Sequence, residues 1–102
     1  MGFERTVASP GGVKPSWERV SQSLRNEGES PVLRMIDGLP AFPDEQPAEN
    51  WTELRVGLSG GMVTIRWKAG TVSCVSWGTQ DAGLSASFER VVRACEQAVS
   101  VS

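Results

Sequence analysis

The run from Asn50 to Gly78, NWTELRVGLSGGMVTIRWKAGTVSCVSWG, alternates apolar and polar residues with a period of two and is interrupted twice by glycine. Few folds accommodate that pattern. Alternation sends successive side chains to opposite faces of a sheet. Glycine reaches positive φ without a Cβ clash, so Ser59-Gly60-Gly61 and Ala69-Gly70 read as hairpin turns. The run therefore predicts three antiparallel strands. Thr52, Leu54, Val56 and Leu58 alternate with Glu53, Arg55 and Gly57; Val63, Ile65 and Trp67 alternate with Met62, Thr64, Arg66 and Lys68.

Two registers fit the first hairpin. With Gly60-Gly61 as the loop, Leu58 faces Val63 and Arg55 sits opposite Arg66. With Ser59-Gly60 as the loop, Val56 faces Val63, Glu53 pairs with Arg66 and Trp51 lies across from Lys68. A two-residue shift preserves side-chain parity, so both keep the apolar residues on one face. Opposite charges directly across a sheet contribute about 0.2–1 kcal/mol and like charges oppose pairing, which favours the second. In the second hairpin, Trp67 pairs with Val72 and Ile65 with Cys74. The outer face then collects Arg55, Arg66 and Lys68 together with Trp51, Met62, Val75 and Trp77. A solvated sheet face is mostly polar, so either a bulge near Cys74-Val75 re-aims the strand or something covers that corner.

On the N-terminal side, Ser16 can cap a helix whose apolar stripe is Trp17, Val20 and Leu24, with Gly28 as a left-handed stop. Pro31 to Ile36 is a short strand closed by Asp37-Gly38. Pro40, Pro43 and Pro47 exclude helix and central strand from the long connection between Asp37 and Asn50; we expect it ordered and pinned by Phe42. The strongest helical periodicity lies in Thr79 to Ser100, where Leu84, Phe88, Val91, Val92, Cys95, Ala98 and Val99 recur at three- and four-residue steps. Residues 1–14 are poor in core formers and read as a flexible arm, in which Phe3 and Val7 could form a brief edge strand; 15–102 reads as one domain. The expected fold is α+β: a four-stranded, mainly antiparallel sheet with an N-terminal and a C-terminal helix on one face, in the order α-β-β-β-β-α.

Catalytic chemistry is hard to find. There is no histidine and no tyrosine, so the commonest general base and metal ligand is missing. Cys74 and Cys95 fall on inward faces, where cysteine behaves as a small apolar residue. No serine lies in a Gly-x-Ser-x-Gly elbow, and Ser59-Gly60-Gly61 lacks the lysine and helix of a phosphate loop. The chain leans away from catalysis, and no cofactor or metal site is expected.

Three binding readings remain. The first is a domain that binds another protein, or itself as a homodimer, through Trp51, Arg55, Met62, Arg66, Lys68, Val75 and Trp77; tryptophan and arginine are enriched at interface hot spots. The second is a small-molecule site or minor enzyme at the long loop, built on Phe42, Asp44, Glu45 and Glu49, with Trp51 lining the pocket. The third is single-stranded nucleic acid on the sheet face, since cations beside rings suit phosphates and stacked bases. A net charge of −2 makes it the weakest of the three. Met1 to Gly12 lacks the apolar centre of a secretory signal and no apolar run is long enough to span a bilayer; a cytoplasmic location without membrane attachment is the expectation.

Overall fold

The hairpin at Ser59-Gly60 organises the molecule. In the computed structural model, which describes residues 3–42, 44–76 and 82–99, strand β4 (Glu53–Leu58) turns there into β5 (Gly61–Lys68). The register pairs Glu53 with Arg66, Val56 with Val63 and Leu58 with Gly61, which is the arrangement favoured by charge. The next turn has Ala69 at φ 51° and Gly70 at φ 77°, so both central residues are left-handed, as the twist of a two-residue hairpin requires. It leads into β6 (Thr71–Ser76), with Trp67 opposite Val72 and Ile65 opposite Cys74. The register continues unbroken through Val75, so of the two alternatives for this corner the bulge near Cys74-Val75 is absent.

Among the described residues the sheet has six strands, not four, in the order β1-β6-β5-β4-β2-β3, and every neighbouring pair is antiparallel. Both additions are edges. Phe3–Ala8 forms β1, paired along its length with β6, so the first helix lies after a strand and not at the start of the fold. Phe3 stacks on Phe88 with ring centroids 5.5 Å apart, and Arg5 reaches Glu89 at 2.7 Å. Leu39–Pro40 forms β3, joined to β2 (Val32–Ile36) by Asp37 at φ 52° and Gly38 at φ 81°. A register shift falls at Arg34, between Leu33 and Met35 of β2.

Helix α1 (Trp17–Asn26) begins where Ser16 accepts a hydrogen bond from the Arg19 amide. It ends in a Schellman cap: Gly28 at φ 87°, the Glu29 amide on Leu24 O and the Gly28 amide on Arg25 O. Helix α2 spans Ala82–Val99. Trp17, Val20 and Leu24 of α1 and Phe88, Val91, Val92 and Cys95 of α2 share one core with Val7, Leu33, Leu54, Val56, Val63, Ile65, Val72 and Cys74. Those strand residues all point to one side, so both helices lie over that side. Among the described residues no helix is long and apolar enough to cross a membrane.

The approach of α2 to the hairpin explains its glycine. A Cβ on Gly60 would stand 2.1 Å from Gly83 O, so only glycine lets the turn seat under the helix start. Further along α2, Cys95 faces Cys74 of β6 with Sγ atoms 3.8 Å apart, both buried and both free thiols.

Candidate functional site

The face of the sheet turned away from the helices is assembled by register. Across its middle run Met35, Arg55, Thr64, Val75 and Glu4 on successive strands. The next row holds Glu53, Arg66, Ser73 and Thr6, and beyond it Lys68 lies opposite Thr71. Arg55, Met62, Arg66, Lys68 and Val75, five of the seven residues proposed from sequence for partner binding, are therefore on one surface. Met62 is 46% exposed, whereas Val75 and its cross-strand neighbour Thr64 are buried. Glu53 serves two cations, with Oε2 3.1 Å from Arg66 Nε and Oε1 3.5 Å from Arg55 Nε. The Arg55 Nε is shut off from solvent yet makes no hydrogen bond.

Sequence reasoning missed Arg34 on this face. At the register shift its side chain crosses Gly57, with Nε 3.0 Å from the place a Cβ would take. A glycine inside a strand marks such close approaches, so Gly57 was the available signal.

Two residues do not join the surface. Trp77 lies outside the described residues. Trp51 does not face outward: it is 3% exposed and belongs to the core. The alternation stops at Glu53, because the Trp51 amide turns back to Ala48 O and leaves the ladder. Lys14 closes over it, with Nζ 4.6 Å from the ring centroid and 2.6 Å from Glu49 O. Burial lowers the Lys14 pKa from its ordinary 10.5, and the nearby Asp37 charge works against that shift.

The four loop residues do not converge. Phe42 is 75% exposed and pins nothing. The loop is held instead by Asp37, whose Oδ1 accepts from the Thr52 amide, the Thr52 hydroxyl and the Glu53 amide. Those donors, the Thr52 amide foremost, put the Asp37 pKa below its ordinary 3.8. Asp44 and Glu45 line a polar cleft beside Trp17 and Arg25, whereas Glu49 lines a different cavity of about 330 Å³ with Lys14, Glu18 and Trp51. Among the described residues no three His, Cys, Asp or Glu side chains could together hold a metal ion.

One buried polar cluster was not foreseen. The Glu29 side chain is 1% exposed. Its Oε1 accepts from the Ser59 amide and hydroxyl, and its Oε2 from the Ser87 hydroxyl at 3.0 Å and Arg90 Nη1 at 2.6 Å. Ser87 Oγ in turn accepts from the Gly60 amide. Burial works to raise the Glu29 pKa, and these donors outweigh it, leaving the carboxyl below its ordinary 4.5. Each carboxylate oxygen already accepts two bonds and Ser87 is fully buried, so the cluster is a clamp between α1, the hairpin and α2. It offers neither a base nor access for a substrate.

Compared with known protein families, curated proteins and solved structures, the chain matches none.

Proposed function

We propose that this protein is a non-catalytic binding domain that presents the uncovered face of its sheet to another protein. The observation that carries the reading is the placement of both helices on the opposite side, which leaves Met62, Arg34, Arg55, Arg66 and Lys68 on one contiguous surface. A half-exposed methionine at the end of a row of cations, with Arg34 and Arg55 on its β4 side, has the composition of a docking surface: methionine and arginine are enriched at interfaces, and arginine anchors them energetically. The titratable clusters support a non-catalytic role, because the Glu29 oxygens each accept two hydrogen bonds and Asp37 Oδ1 accepts three, and these donors hold both carboxylates ionised.

The test is reconstitution. A partner that co-purifies with the tagged chain is identified, purified and titrated against variants. Met62→Glu is expected to weaken binding at least about tenfold, and Gln22→Glu on the exposed side of α1 to leave it unchanged. Equal affinity for Met62→Glu and the unaltered protein would sink the reading.

A second reading is a small-molecule site in the cavity beside Lys14 and Trp51, favoured by the desolvated ammonium held over the ring. It predicts ligand-dependent tryptophan fluorescence that Lys14→Met abolishes; a fragment screen with no such response would remove it.

A further inference from the structure

We infer that the partner of this face is an extended acidic protein segment and not a second copy of the chain. The inference rests on the reading of the face as a docking surface and names its chemistry. Arg34, Arg55, Arg66 and Lys68 form a diagonal stripe: Arg34 lies over Gly57, two residues beyond Arg55 on β4; Arg55 is level with Thr64; Arg66 and Lys68 follow at alternate positions on β5. Alternate positions in a strand are about 6.6–6.8 Å apart and diagonal cross-strand neighbours about 7–8 Å. An extended segment with carboxylates at every second residue repeats at the first of these spacings.

Among the described residues, Glu53 and Glu4 supply the negative charge of the same face. Four cations and two carboxylates leave it at +2, while the whole chain is −2, so the rest carries −4. This surface is net positive while the rest of the chain is net negative, an asymmetry that steers an acidic partner to one side of an acidic protein. A two-fold contact between copies would set stripe against stripe, and like charges across an interface oppose it. Among the described residues nucleic acid finds no stacking platform on this face, because Trp51 and Trp67 turn into the core.

The probe is a fluorescein-labelled peptide alternating glutamate and serine, titrated by fluorescence anisotropy at low salt against the full chain. A thymidine oligonucleotide of equal charge is the comparison. Binding of the peptide is expected, reduced about tenfold or more by Arg66→Ser with Lys68→Ser and unchanged by Arg19→Ser with Arg25→Ser on α1. Lys68→Ser alone, which breaks no ion pair among the described residues, gives a smaller loss in the same direction and guards against a folding artefact. Absent binding, equal losses in both double variants, tighter binding of the oligonucleotide, or a dimer that buries the stripe would each overturn the proposal. If the peptide does not bind but Met62→Glu still weakens a reconstituted partner, the acidic chemistry fails while the docking surface stands.

Discussion

Replacing Glu29 with glutamine tests the physical account of the fold at its most demanding point. The carboxylate is buried and takes four donors. Glutamine keeps one acceptor oxygen, so the Ser59 pair can survive. Its amide then confronts the Ser87 hydroxyl and Arg90 where an oxygen stood. The serine can rotate to accept, but the arginine cannot. A charge-assisted hydrogen bond contributes about 1.5–3 kcal/mol. Arg90 is 34% exposed and can turn to water, which discounts the upper end. A loss of about 2 kcal/mol follows at neutral pH, and Glu29→Ala, which orphans the Ser59 donors as well, costs about 3–4 kcal/mol. The pH dependence checks the sign. The folded-state pKa lies below the ordinary 4.5, so the native state holds the proton less tightly than the unfolded chain does. The stabilisation is complete above about 4.5 and is lost as pH falls through the lower folded value. Urea denaturation of the wild type and Glu29→Gln reads this directly. The midpoints should differ clearly at pH 7 and converge on acidification. Equal midpoints at pH 7, or a gap that persists unchanged in acid, would refute the reasoning.

Three further outcomes follow. Gly60→Ala forces a Cβ onto Gly83 O and should destabilise by about 1–3 kcal/mol, towards the upper end because the clash is with backbone, read as a lowered urea midpoint with α2 losing amide protection. Ala69→Asn relieves an alanine at φ 51° and should raise stability by about 0.5–1 kcal/mol, seen as a rise in Tm. The Cys74 and Cys95 thiols should resist alkylation in the native protein and react together only on unfolding. Both are fully buried, and the Cys74 hydrogen bond followed by burial pushes Cys95 well above its ordinary 9.0; iodoacetamide labelling followed by mass spectrometry would show it.

The central meander was readable because its information is local. Alternation gave the faces, glycine gave the turns, and Glu53 opposite Arg66 decided the register. Ser16 and Gly28 bounded α1 for the same reason. The edges were less legible. Strand β1 carries Glu4-Arg5-Thr6 and one buried residue, Val7; its pairing with β6 and the Phe3 and Arg5 contacts to α2, more than 80 positions away, hold it in place. Asp37-Gly38 is a strong hairpin dipeptide, but the prolines after it obscured the two-residue partner strand. Trp51 was placed on the wrong face because parity was extended one step beyond the ladder. Glu29 carried a usable signal: it follows the Schellman glycine, where an apolar residue usually packs back on the helix. A carboxylate there implies donors waiting for it. The candidate surface was mostly legible, since its cations alternate along β4 and β5; Arg34 was not, because the shift that re-aims it depends on pairing between β2 and β4.

The most direct test of the uncovered face as the docking surface is an amide chemical-shift map of the labelled full chain during titration with its reconstituted partner. The account predicts shifts concentrated at Arg34 and Met35, along β4 and β5 and in β6, with α1 and the 46–51 segment unmoved. Shifts centred on α1 and the Lys14–Trp51 cavity, with the sheet silent, would contradict it.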